Sequence, residues 1–165
     1  DVMAVIHAHS QAVIPLSLTP IRMKPMIAQA GFLPPETPNY EARDARKPGD
    51  RGMQVTDSAR GAALARTLSG HPVALMRGHG EVVVGSSVKQ AVVYAAYVDI
   101  NARMQVQALL LSREVVALDG PELFTPAEFD INRPWEHLKQ KTLDEAARAK
   151  VDRTQFGLEQ TQEKR

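Results

Sequence analysis

The chain has 165 residues, of which 44% are hydrophobic and 24% are charged, so it is long enough for one domain with a buried core. Its formal net charge of +1 provides no basic field for nucleic acid and no acidic field for a cationic partner. It contains no cysteine, which excludes disulfides and thiolate chemistry and leaves nitrogen and oxygen atoms to bind any metal.

The first half of the chain opens with a strand and then becomes rich in loops. Residues 2–8 are apolar and partly β-branched, which is typical of a buried strand, and we expect a short helix within residues 9–18. Residues 19–53 are rich in proline, glycine and charge, which predicts a long loop with one extended piece at residues 40–43. Because a chain that opens inside a strand is unusual, we also expect an upstream portion to be missing, with a naturally short protein that begins with a strand as the alternative.

The second half alternates helices with strands, which indicates an α/β layered domain. The first expected element is a helix that is capped by Thr56 or Asp57, runs through Leu68 and is ended by Gly70. A strand at residues 72–76, a tight Gly78-His79-Gly80 turn and a strand at residues 82–84 follow. A second helix, capped by Ser86 or Ser87, extends to about Ser112, and a helical region covers residues 126–148. We place the domain at residues 1–150 and a polar tail at residues 151–165.

Two histidines of the first strand point to metal chemistry. Side chains alternate across a strand, so His7 and His9 project from the same face with Cα atoms roughly 6–7 Å apart. At that spacing two imidazole nitrogens can reach one ion at about 2.0–2.1 Å. Taken alone, the pair is a weak signal, and two polar residues at the end of a strand are the favoured interpretation.

A third histidine lies in the turn between the two later strands. Glycines on both sides of His79 permit unusual backbone angles and a close approach of the chain to a ligand. Together with His7 and His9 it supplies three nitrogens, the ligand count of an open catalytic metal site. A turn histidine that simply faces solvent remains the alternative.

These motifs resemble those of the class II aldolase and adducin family. Residues 5–10 (Val-Ile-His-Ala-His-Ser) are similar to the His-x-His strand of that family, and residues 75–80 (Leu-Met-Arg-Gly-His-Gly) are similar to its third-histidine turn. The resemblance covers residues 1 to about 140 and implies a three-layer αβα fold with a mainly antiparallel or mixed central sheet. It also implies a divalent metal on His7, His9 and His79, with zinc expected first and manganese or another first-row metal as alternatives.

Two further segments resemble the decarboxylase-like branch of the family. They are residues 40–44 (Tyr-Glu-Ala-Arg-Asp) and residues 133–138 (Arg-Pro-Trp-Glu-His-Leu). Members of this branch decarboxylate hydroxylated aromatic or heteroaromatic carboxylates, with the metal stabilising an enolate-like or phenolate-like intermediate. A sugar-phosphate aldolase or epimerase of the same family and a non-catalytic adducin-like assembly module are the alternatives.

Besides His79, two residues are candidates for a catalytic role. Arg77 has the charge to pair with a substrate carboxylate, although a structural pair with an internal acid is the favoured reading. His137 is a distant candidate for the acid that delivers the proton; a metal-bound water or a residue of the missing upstream portion is a stronger one. Tyr94 and Tyr97 lie on the long helix, where packing is expected, and Arg43 and Asp44 suggest a structural ion pair.

The expected partners follow from the resemblance and the composition. We expect a small anionic substrate and a homo-oligomer, most readily the family's homotetramer with active sites between subunits. No stretch has the roughly 18 uninterrupted apolar residues of a membrane span, and the first residues lack a signal-peptide pattern. The sequence therefore favours a cytoplasmic protein with neither a membrane nor a nucleic-acid partner.

Overall fold

The computed structural model describes residues 1–125 and 128–148, which form four strands and four α-helices. The strands make one sheet in the order β1-β4-β3-β2. Their bounds are Ala4–Ala8 for β1, Asn39–Tyr40 for β2, Val73–Met76 for β3 and Gly80–Gly85 for β4. β1 and β3 both pair antiparallel with β4, whereas β2 pairs parallel with β3. The expected α/β architecture with a mixed sheet is confirmed.

The first strand is an edge strand, and the prediction that it is buried was wrong. Its side chains alternate between partly and fully exposed, and Val5 is 63% exposed. In the described part of the chain only β4 pairs with it, and one of its two faces remains open. The apolar composition of residues 2–8 predicted a strand correctly but did not reveal its position at the edge.

Four helices complete the described fold. They are α1 at Val13–Ser17, α2 at Ser58–Leu68, α3 at Val88–Leu111 and α4 at Asn132–Arg148. Asp57 accepts a hydrogen bond from the Arg60 N–H at the start of α2, and Ser87 accepts one from the Gln90 N–H at the start of α3. These are the side-chain caps that the sequence predicted. α2 ends at Leu68, as predicted, and the next two residues, Ser69 and Gly70, both have positive φ.

The long loop is irregular but fixed in place by α3. Besides β2, it contains only 3-10 turns at Ala28–Ala30 and Ala42–Ala45, so the predicted extended piece is shorter than expected. Asn101 and Gln105 of α3 are fully buried, and their amide groups hydrogen bond to main-chain atoms of Arg22, Lys24 and Met26 at 2.7–2.9 Å. The side-chain amides of Asn101 and Gln105 thus provide the main-chain hydrogen bonds that a neighbouring strand would otherwise provide to this part of the loop.

The chain divides into two compact units, with the boundary between residues 129 and 130. Unit 1 contains the sheet and α1 to α3, and the described part of unit 2 contains α4. The helical region expected from residue 126 begins as α4 at Asn132. The predicted domain end at residue 150 and the predicted tail at residues 151–165 lie outside the described residues. Within the described residues, no helix is both long and apolar enough to cross a membrane.

The contact between Gly80 and the end of β1 gives a first prediction. A Cβ atom on Gly80 would lie 2.0 Å from the carbonyl oxygen of Ala8, so Gly80→Ala should destabilise the fold by more than about 4 kcal/mol. Gly61→Ala is the control. Gly61 lies within α2, and a Cβ atom there would meet no atom closer than 3.9 Å, so this substitution should stabilise the fold by about 0.5–1 kcal/mol. Chemical denaturation of both variants measures this, and a Gly80→Ala protein of unchanged stability would contradict it.

Candidate metal centre

The three predicted histidines come together at one point. The ring centroids of His7, His9 and His79 lie 4.7–4.8 Å from one another. One ligand nitrogen from each ring lies within 4.8 Å of the other two, and the Nε2 atoms of His7 and His9 are 2.9 Å apart. Nitrogens bound tetrahedrally to one ion at about 2.1 Å are separated by about 3.4 Å. Small side-chain rotations would therefore suffice for a common ion.

Local backbone structure brings these residues to one place. His7 and His9 share a face because they are two residues apart at the end of β1. His79 lies in the β3–β4 hairpin, where its N–H donates to the Met76 carbonyl at 2.9 Å. Gly78, with φ of 64°, donates its N–H to Ser17 Oγ at 2.9 Å. The end of α1 therefore fixes the turn that carries the third histidine.

The hydrogen bonds of the cluster and the lowered pKa of His79 fit a divalent metal. His7 Nδ1 donates to the Glu81 carbonyl at 2.9 Å, so the lone pair of His7 lies on Nε2. His79 Nδ1 is buried and finds no hydrogen-bond partner within the described residues. Burial lowers the pKa of His79, and the neighbouring His7 and His9 lower it further. The neutral imidazole that metal binding requires is thereby favoured.

Glu81 is a member of this region that the sequence analysis missed. It is 1% exposed and lies on β4 two residues after His79. Burial raises the pKa of its carboxyl group to about 7, a backbone hydrogen bond from Ser10 opposes the rise, and the charge of Asp99 adds to it. The available signal was an acidic residue inside an otherwise apolar strand.

Arg77 contacts an internal acid in this structure. Its Nε donates to Glu41, which also accepts from Arg43 Nη2 at 2.7 Å. The hydrogen bonds from Arg43 and then Arg77 lower the pKa of Glu41 to about 2. Arg43 thus has Glu41 as its ion-pair partner, where the sequence had suggested Asp44. The pair with Glu41 corresponds to the structural role that the sequence favoured for Arg77. A role of Arg77 in binding the substrate carboxylate stays a prediction.

The remaining candidates lie away from the cluster or in the other unit. His137 lies on α4 in unit 2, so its role as an acid stays a prediction. Tyr94 is buried and stacks on Phe32 with ring centroids 3.9 Å apart, and Tyr97 contacts the ring of Phe129. Both tyrosine side chains pack against aromatic rings, and packing is the role expected for them on the long helix.

The sequence of the N-terminal domain shared by class II aldolases and adducin matches residues 1–106 of this chain. The chain belongs to the class II aldolase and adducin family. It is 32% identical over 130 residues to decarboxylase tropJ of Talaromyces stipitatus, a match that covers 73% of this chain and 49% of that protein. It is 27% identical over 148 residues to the 3,4-dihydroxyphthalate decarboxylase of Rhodococcus jostii, which covers 83% of this chain and 56% of that enzyme.

The fold agrees with the family assignment. The structure of an L-fuculose 1-phosphate aldolase superposes with a TM-score of 0.58 at 18% identity, covering 84% of this chain and 57% of the aldolase. The expected class II aldolase-like fold is therefore confirmed. The chain spans about half the length of the relatives it matches.

The geometry of the cluster leads to a prediction about metal binding. His9→Ala should reduce the bound divalent metal to less than about one tenth of the wild-type content, because two imidazoles rarely retain a catalytic ion. His71→Ala is the matched control, because His71 is exposed and lies outside the cluster. Elemental analysis after dialysis measures the content. Equal metal in the His9→Ala protein and the wild type would contradict the assignment.

Proposed function

We propose that this family member is a metal-dependent carbon–carbon lyase that decarboxylates a hydroxylated aromatic or heteroaromatic carboxylate. The convergence of His7, His9 and His79 is the observation that carries the proposal. The site offers nitrogen ligands, and the chain contains no cysteine that could act as a nucleophile. The likeness to tropJ and to 3,4-dihydroxyphthalate decarboxylases supports decarboxylation as the reaction.

In this proposal the three imidazoles hold a divalent ion, with zinc preferred and manganese or another first-row metal as alternatives. When bound, the ion supplies Lewis-acid stabilisation of negative charge that develops on the substrate. Neutral imidazole ligands add no negative charge to the centre, which favours an anionic substrate. His7 has its ring orientation set by the Glu81 carbonyl, and the lowered pKa of His79 keeps that ring unprotonated.

The reaction also requires a proton. Loss of carbon dioxide leaves an electron pair on the ring carbon, and a proton must replace the carboxylate there. His137 is one candidate donor, and a residue that precedes this chain in the complete protein is another. Arg77 is proposed to attract the substrate carboxylate, in competition with its contact to Glu41.

Two other functions have weaker support. A sugar-phosphate aldolase or epimerase has the fold in its favour, because the L-fuculose 1-phosphate aldolase structure is similar, but at 18% identity that likeness concerns the fold alone. An adducin-like assembly module would have no use for a converging set of ligand nitrogens. We therefore rank the decarboxylase first.

Substrate turnover by the complete gene product tests the proposed reaction. Loaded with zinc or manganese, it should release carbon dioxide from dihydroxyphthalates or hydroxypyridine carboxylates, and His79→Ala should lower the rate by at least about 100-fold. The His71→Ala protein should match the wild type. Cleavage or epimerisation of ketose or aldose phosphates, with no carbon dioxide from any aromatic acid, would refute the decarboxylase assignment while leaving the metal centre intact.

We also propose that the protein self-associates, with a homotetramer as the expected form. Apolar side chains remain exposed near the end of α3, where Leu110 is 82% and Leu111 is 91% exposed, and Val116 beyond it is 97% exposed. Burial of such a surface against another copy would remove apolar area from water. Light scattering at micromolar concentration should give the mass of four chains, and a stable monomer would contradict the proposal.

A further inference from the structure

The short helix α1 connects two of the three histidines. Before it, Ser10 directly follows His9 in the chain. At its end, Ser17 Oγ accepts the backbone N–H of Gly78, the residue before His79, at 2.9 Å. A helix of five residues is too short to hold its shape without outside contacts. The bonds at its two ends therefore bear on where the two histidines stand relative to each other.

The Ser10 hydroxyl uses its full capacity for hydrogen bonds. A serine hydroxyl donates one hydrogen bond and accepts two. Ser10 Oγ donates to Asp99 Oδ1 of α3 at 2.6 Å, and it accepts the backbone N–H groups of Ala12 and Val13 at 3.2 Å each. An ionised carboxylate only accepts, so Asp99 fixes the direction of the hydroxyl proton and leaves both lone pairs to the start of α1.

Asp99 provides a fixed point for this contact. Its other oxygen, Oδ2, accepts a hydrogen bond from Arg103 Nε at 2.7 Å, one helical turn further along α3. Val98 and Ala102 on the same stretch of α3 are fully buried, which anchors this part of the helix in the core. Asp99 thus ties the well-packed α3 to Ser10, which lies 89 positions away in the sequence.

His9 depends on this arrangement more than His7 does. β1 ends at Ala8, so His9 lies beyond the residues that the sheet holds. Within the described residues, the only hydrogen bond of the His9 ring is the one to His7 Nε2, whereas the His7 ring is also oriented by the Glu81 carbonyl. The first side chain after His9 with a fixed hydrogen-bond network is that of Ser10.

We propose that Asp99 is a positioning residue of the metal centre, which orients the Ser10 hydroxyl and so fixes the backbone that directs the His9 imidazole. The inference rests on the proposed metal site and adds to it a residue of α3 that binds neither metal nor substrate. Burial of Val13 and Leu16 also holds α1 in place. Apolar burial is non-directional, however, whereas the bond from Ser10 to Asp99 has a fixed direction.

Zinc affinity and the absorption spectrum of bound cobalt test this role in the complete protein. Asp99→Ala removes the acceptor but leaves the Ser10 hydroxyl to cap α1, and it should weaken zinc binding about tenfold, as for other outer-sphere changes. Its cobalt spectrum should differ from that of the wild type, because the spectrum reports the geometry of the ligands. Asp99→Asn keeps an oxygen acceptor for Ser10 and should bind zinc within about threefold of wild type.

Arg103→Ala is the matched control, because it breaks the other hydrogen bond of the same carboxylate and leaves the bond to Ser10 in place. It should bind zinc within about threefold of wild type, since the outer-sphere contact is kept, and its cobalt spectrum should be unchanged. An Arg103→Ala protein that loses as much zinc affinity as Asp99→Ala would overturn the role of Asp99, because the effect would then belong to α3 in general.

A double variant tests whether Asp99 acts through Ser10. Ser10→Ala removes the hydroxyl and should weaken zinc binding at least as much as Asp99→Ala does. The protein with both substitutions should bind zinc no more weakly than Ser10→Ala alone, because residues in one hydrogen-bonded network are not additive. Losses that multiply in the double variant would contradict the proposed connection.

A further control separates positioning from stability. Asp57→Ala removes the corresponding cap of α2, which carries none of the three histidines, and should lower the temperature of thermal unfolding without changing zinc affinity or the cobalt spectrum. An Asp99→Ala protein that behaves in the same way would overturn the role of Asp99 alone. A wild-type protein that binds neither zinc nor cobalt would overturn the metal centre, and with it both proposals.

Discussion

The candidate site depends on one close approach of two backbone segments. Gly80 begins β4 beside the carbonyl of Ala8, with no room for a side chain between them. Because His79 precedes Gly80 and His9 follows Ala8, this contact places the turn histidine against the two strand histidines. Any residue larger than glycine would separate the hairpin from the end of β1 and open the cluster. The geometry of the histidine cluster is thus a consequence of backbone packing.

Hydrogen bonds and an ion pair with other parts of the chain hold the turn that carries His79. Ser17 at the end of α1 accepts the Gly78 N–H, and the backbone of Arg77 donates to the Tyr40 carbonyl at 3.0 Å. The ion pair of Arg77 with Glu41 adds a side-chain contact to the same loop. Two segments that are distant in sequence, the end of α1 and the loop at residues 40 and 41, therefore converge on the hairpin. The long proline-rich loop contributes to the site by bracing it, since its own path is fixed by the buried amides of α3.

Local chemistry determined how much of this arrangement the sequence could predict. The helix caps at Asp57 and Ser87 are local signals, so the starts of α2 and α3 were predictable. The spacing of His7 and His9 by two residues is also local, and it predicted that the two imidazoles share one face of the strand. The pairing of Arg77 with Glu41 joins residues 36 positions apart, and nothing in either neighbourhood encodes it. Glu81 was missed for the same reason, because its significance arises from the packing of β4 between β1 and β3.

The exposure of the cluster connects the proposed chemistry with the proposed assembly. His7 and His9 are exposed, and Val5 on the same face of β1 is 63% exposed as well. A developing negative charge is stabilised more strongly by a nearby cation when water is excluded, because the local dielectric constant falls. On this open face the described residues do not provide that exclusion. A second copy of the chain would both cover the apolar side chain of Val5 and enclose the imidazoles. Activity and self-association are therefore expected to rise and fall together.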